Sequence, residues 1–186
     1  MIQSTDTHNR EAAKAALVPH LFPEEDDVNT FAVLDGASNP DLRDQLHEHK
    51  PEHICLYRGA LEPDMAEVAP YLVLLKRDHP FTNLVLASGW GAHWGIFART
   101  SVTLPEARRH FRQFLMVRDH EGKDLVFRYY DPRVLRIFLP TCDGEELKSI
   151  FGPVARFYCE DEMGQAVMFE IEESGLKTKL IPLAGA

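Results

Sequence analysis

Leu125-Val126-Phe127-Arg128-Tyr129-Tyr130-Asp131-Pro132-Arg133-Val134-Leu135 reads as a strand running into a helix. Leu125, Phe127 and Tyr129 alternate with Val126, Arg128 and Tyr130, the period of two that marks a strand. Asp131 offers an oxygen acceptor to the first free amides of a helix. Pro132 suits the first helical position, where its missing N–H costs nothing. Aromatic rings on both strand faces imply material packed above and below. The fold class this predicts is α/β, built around a mostly buried sheet.

Working upstream, Thr103-Leu104-Pro105-Glu106 matches a capping box. The helix it opens carries Ala107, Phe111 and Leu115 on one side and Arg108, Arg109 and Arg112 on the other. Met116-Val117-Arg118 then pairs with the opening strand around Glu121-Gly122. Further back, Thr30–Leu34, His53–Tyr57, Tyr71–Leu75 and His93–Ala98 read as strands separated by short helices. An amphipathic piece, Arg10 to Phe22, precedes them, followed by an acidic connector at Glu24-Glu25-Asp26-Asp27. Downstream, Asp143-Gly144-Glu145-Glu146 caps a helix ending at Phe151-Gly152-Pro153. A hairpin then joins Val154–Cys159 to Ala166–Ile171, with a last strand at Thr178–Ile181. The expected organisation is an N-terminal extension (1–29), an α/β lobe (30–98), a second helix-plus-hairpin lobe (99–152) and a short β-rich tail (153–186).

The net charge of −9 over 186 residues argues against generic nucleic-acid binding. That charge is uneven, because Arg99 to Arg136 holds nine basic and five acidic residues. Cys55, Cys142 and Cys159 are widely spaced, without C-x-x-C, which fits reduced thiols in a cytoplasm. The N-terminus has no signal-peptide pattern, and no apolar run approaches the roughly 20 residues needed to cross a bilayer. A cytoplasmic protein without membrane insertion is expected.

Few residues point to chemistry. Asp35-Gly36 ends a strand where α/β enzymes place carboxylates, and His93 stands beside Trp94. Together they define a small-hydrolase alternative, set against a turn-capping Asp35, a positive φ at Gly36 and a structural His93. His47, His49 and His53 lack the convergence a metal site needs, so no metal is expected. No nucleotide, cofactor or hydrolase signature occurs. The Arg108, Arg109 and Arg112 face reads as solvated, with anion or nucleic-acid binding as its functional alternative. Arg128 and Arg133 beside Tyr129 and Tyr130 have the composition of a protein interface. They would equally make a structural joint, with Arg128 pairing Asp131 or a helix C-terminus.

Phe31-Ala-Val-Leu-Asp-Gly-Ala37, Ala69-Pro-Tyr-Leu-Val73, Trp94-Gly-Ile-Phe97, Phe127-Arg-Tyr-Tyr-Asp-Pro-Arg133 and Phe151-Gly-Pro-Val154 occur in that order. Over about residues 30–154 the chain thereby resembles the bacterial type VI secretion adaptor chaperones. That family is encoded beside spike-tip proteins and toxic effectors, and was long catalogued as a domain of unknown function. The resemblance implies a non-enzymatic cytoplasmic protein without a cofactor. Its partners would be a secreted effector and the trimeric spike-tip protein on which the effector is mounted. Many relatives carry a long C-terminal region, whereas little more than thirty residues follow Pro153 here. The partner-binding residues expected are Trp94, Phe97, Arg128, Tyr130 and Arg133, lining a cleft between the lobes. Asp35, Gly36, Asp131 and Pro132 are expected to be structural.

Overall fold

Strand β1 (Asn29–Asp35) lies inside the sheet with a partner on each edge, and its register explains much of the rest. The computed structural model describes residues 3–24 and 28–182. The acidic connector at Glu25–Asp27 lies outside the described residues. β1 pairs antiparallel with β3 (Pro70–Leu75) on one side and with β4 (Gly95–Thr100) on the other. β2 (His53–Cys55) extends the β3 side. On the β4 side follow β7 (Val154–Glu160), β8 (Ala166–Glu172) and β9 (Gly175–Ile181). The order β2-β3-β1-β4-β7-β8-β9 makes one seven-stranded sheet, with every pairing antiparallel.

Alternation along these strands sorts the apolar residues into two cores. Phe31, Val33, Ile96, Ala98, Phe157 and Phe169 face one side. There they meet α5 (Leu104–Phe111), α6 (Pro132–Phe138) and α7 (Gly144–Phe151). Ala32, Leu34, Val73, Phe97, Tyr158 and Met168 face the other. That side is covered by α1 (Gln3–Leu21), α2 (Leu42–His49) and α4 (Pro80–Leu84), the last continued by a π-helical turn at Val85–Gly89. Helices on both faces of a buried sheet give the mixed α/β class read from the sequence. α3 (Pro63–Glu67) is a short turn at the margin.

The opening stretch needs correcting. The strand stops at β6 (Asp124–Val126), which pairs only with β5 (Met116–Arg118) in a separate two-stranded hairpin. Phe127 to Asp131 form a turn instead. Tyr129 and Tyr130 are both buried, and both enter the same core as Phe111 and Phe157. The Tyr129 hydroxyl donates to the Phe111 carbonyl at 2.8 Å. Two adjacent rings turned to one side cannot belong to a strand, whose successive side chains point apart. The helix start is as expected: Asp131 Oδ1 accepts from the Arg133 amide at 2.9 Å, and Pro132 follows the cap. Such a cap is worth about 1 kcal/mol. The boxes at Thr103/Glu106 and Asp143/Glu146 also form.

Candidate functional site

Two neighbouring features stand out beside the turn at Phe127–Asp131, one polar and one apolar. The polar feature begins at Asp35, the last residue of β1. Its side chain is 1% exposed. Oδ1 accepts from the Ala37 amide at 3.0 Å, and Oδ2 accepts from the Ser38 hydroxyl at 3.1 Å and from the Arg128 guanidinium. Arg128 also donates to Ser38 Oγ at 3.3 Å. The pair ties the end of β1 to the turn before α6, across 93 positions of sequence. Burial pulls the Arg128 proton affinity down, but its hydrogen bond and charge pairing with Asp35 raise it above the ordinary arginine value.

Gly36 is required at this joint for space. Its amide donates to the Ala69 carbonyl at 3.1 Å. A Cβ there would sit 2.2 Å from the Glu67 carbonyl oxygen and 2.8 Å from that of Ala69. Its role is close backbone approach, and the positive φ anticipated from the sequence does not occur. Tyr130 completes the polar corner from beneath. Burial, then the Asp35 charge and then Tyr57 push its phenol far above the ordinary tyrosine value, so it stays a neutral hydroxyl.

Arg133 belongs to a separate clamp. Its Nε and Nη2 donate to the two oxygens of Asp131 at 2.9 and 2.6 Å. Burial raises the Asp131 carboxyl, and the hydrogen bonds and charge of Arg133 overcome this to hold it below its usual value. Arg128 therefore pairs with Asp35, not with Asp131 or a helix end.

The five residues expected to line one cleft do not do so. Trp94 and Phe97 pack with Leu34, Trp90 and Tyr158 on one side of the sheet. Tyr130 lies in the opposite core, near Arg128. Phe97 and Tyr130 are buried, whereas Arg128 and Arg133 are partly or largely exposed. Asp35 and His93, the pair of the hydrolase alternative, come near each other along the backbone, the Asp35 amide donating to the Trp94 carbonyl at 2.7 Å, but their side chains take different partners. The His93 ring approaches Glu160 at 2.5 Å, and Glu160 shares a crevice with Trp90, Trp94 and Phe97. Asp35 points to Arg128 and Ser38 instead. Among the described residues, no group of three or more His, Cys, Asp or Glu side chains could hold a metal ion.

The apolar feature is a groove with a volume of about 600 Å³. Leu56, Leu61 and Met65 form one wall, and Leu115, Met116 and Val126 the other. The hairpin beside it is unusual, because Met116, Val117, Leu125 and Val126 are each 41–53% exposed. Met116 pairs with Val126 and Val117 with Leu125, so each face of this short ribbon presents an apolar pair. The sequence reading missed this groove. Its signal was consecutive apolar residues in a ribbon too short to bury either face.

Arg112 shapes the groove from below, which corrects the expectation of a wholly solvated basic face. Its Nε donates to the Leu56 carbonyl at 2.7 Å, and its Nη2 to the carbonyls of Cys55, at 3.4 Å, and Tyr57.

A family model described as a domain of unknown function, DUF4123, matches residues 30–149. The chain belongs to the DUF4123 family. No curated protein and no solved structure matches it. The DUF4123 match runs from the second residue of β1 nearly to the end of α7, and so contains the Asp35–Arg128 pair, the Asp131 clamp and the whole groove. β7, β8 and β9 lie beyond it. Among the described residues no helix is long and apolar enough to cross a membrane.

Proposed function

We propose that this protein is a cytoplasmic, non-enzymatic adaptor chaperone. In this reading it holds a secreted type VI effector and helps load it onto the trimeric spike-tip protein. The observation that carries the reading is the β5–β6 hairpin, whose four large apolar side chains stand in solvent beside an open apolar groove. Contiguous exposed apolar surface is costly to leave in water, and in soluble proteins it marks a surface that another polypeptide covers. The ordered motifs shared with the adaptor chaperones supply the biological setting. Four of the five lie wholly within the matched residues, and Asp35, Gly36 and Arg128 of those motifs build the joint that holds the hairpin's C-terminal end against β1.

The test is co-expression of the chain with the effector and spike-tip proteins encoded beside its gene. The tagged wild-type chain should retain the effector through purification, and cells lacking the chain should assemble spikes without it. A Val117→Asp/Val126→Asp variant should lose retention while its melting temperature stays within about 2 °C of wild type, since both positions are already exposed. Failure of the wild-type chain to retain any neighbouring effector would refute the proposal.

A further inference from the structure

The groove's chemistry narrows what it can hold. One way to fill it would be an extended strand laid along the backbone of Leu56 and Tyr57, which line the groove just after β2. The wall that would accept such a strand is already engaged, because Arg112 occupies the carbonyls of Cys55, Leu56 and Tyr57. The groove therefore offers side chains and little free backbone, which suits a helix laid in by its apolar face and not a strand. Met65 and Met116, one on each rim, are unbranched thioethers that can repack around such a face.

Charge supplies the second constraint. Arg58 and Arg112 line the groove, with Arg108 close by. None of the three forms an ion pair with a carboxylate among the described residues. Burial, and then the like charges of Arg108 and Arg58, lower the Arg112 proton affinity, the sign of a local field left uncompensated. This cationic rim belongs to a chain of net charge −9, so it is a local feature set against the overall balance.

We propose that the groove between α3 and the β5–β6 hairpin receives the apolar face of an amphipathic helix whose flanking residues are acidic. Apolar residues spaced three and four apart would meet Leu61, Met65, Met116 and Val126, while carboxylates on either side would reach Arg58 and Arg108. This rests on the adaptor reading, and places the effector's contact on a defined segment.

The test uses the purified full chain and two labelled model helices of about 18 residues with identical leucine faces, one flanked by glutamate and the other by lysine. Fluorescence anisotropy at low salt should show the glutamate helix binding at least about tenfold more tightly, a preference that shrinks as salt rises to about 0.5 M. Arg58→Glu should remove the preference, and Met116→Glu should weaken both helices, neither change disturbing the fold at these exposed positions. Equal affinity for the two helices, no binding of either, or full binding by Met116→Glu would overturn the proposal. The adaptor reading is scored separately. If the neighbouring effector co-purifies with Met116→Glu as well as with wild type, that reading stands and the groove assignment falls. If wild type retains no effector, the adaptor reading falls whatever the peptides do.

Discussion

Truncating Arg128 to alanine is the sharpest test of how the polar joint is built. The change would leave the Asp35 carboxylate, 1% exposed, with only the Ala37 amide at 3.0 Å and the Ser38 hydroxyl at 3.1 Å. Removing one member of a fully buried ion pair costs about 3–5 kcal/mol, mostly because the surviving charge is stranded. Here the Arg128 side chain is 40% exposed, so water already screens the cationic half and can enter when it is gone. The expected loss is therefore reduced to about 2–3 kcal/mol. For a chain of this size that lowers the melting temperature by about 5–10 °C. Urea unfolding followed by circular dichroism would measure it. The decisive experiment is a double-mutant cycle with Asp35→Asn, which keeps the shape and removes the charge. On that background Arg128→Ala should cost about 1 kcal/mol or less, because no buried charge is left stranded. A loss below about 0.5 kcal/mol in the parent, or an equal loss on both backgrounds, would refute the reasoning. Any effect of Arg128→Ala on partner binding must be read after this loss of stability is accounted for.

Other outcomes follow from the same geometry. Gly36→Ala forces a methyl to within 2.2 Å of a backbone oxygen that no side-chain rotation can move, so a loss of about 3 kcal/mol or more is expected in urea unfolding. Arg133→Ala should cost about 1 kcal/mol or less, because Arg133 is 54% exposed and its backbone amide still caps onto Asp131. His110 is buried with its ring 2.8 Å from the Ile150 carbonyl oxygen, and burial lowers its pKa despite that hydrogen bond. Its folded value lies below the unfolded one, so its contribution is complete above about pH 6.5 and is lost as pH falls through the depressed folded value. Wild type should therefore lose more stability than His110→Gln between about pH 7.5 and about pH 5.5 in denaturant titrations, and equal losses would count against it. Gly152→Ala should also destabilise, because a Cβ there would lie 2.6 Å from the His110 ring at a φ of +47°.

Much of the fold is legible in the chain because local and global preferences agree. Phe31–Leu34 and Tyr71–Leu75 are continuous apolar runs, and both fall in interior strands buried on two faces. Asp131-Pro132 and Asp143–Glu146 each begin helices through short-range hydrogen bonds that need no tertiary partner. The stretch Phe127–Tyr130 misleads because its alternation is real in sequence but serves a turn that drives both tyrosines into one core. The site was only half visible. The importance of Asp35, Gly36 and Arg128 shows in the motifs, yet the pairing of Asp35 with Arg128 spans 93 positions, and no periodicity reports a contact so distant. Trp94 and Phe97 look like interface residues by composition, but both pack into the core opposite Tyr130. The groove depends on three separate segments meeting, at residues 56–65, 112–116 and 126, which no single stretch of sequence encodes.

β4 and β7 are neighbours in the sheet, yet 53 residues separate the end of one from the start of the other. The matched family segment ends at residue 149, before β7 begins. A fragment trimmed to that boundary for expression would keep the groove and the Asp35–Arg128 joint but strip β4 of its outer companion. The bared rim from Phe97 to Thr100 would then present open amide and carbonyl groups to any passing strand, inviting fibres or inclusion bodies. An expressed fragment meant to keep the groove intact should run at least through Ile181.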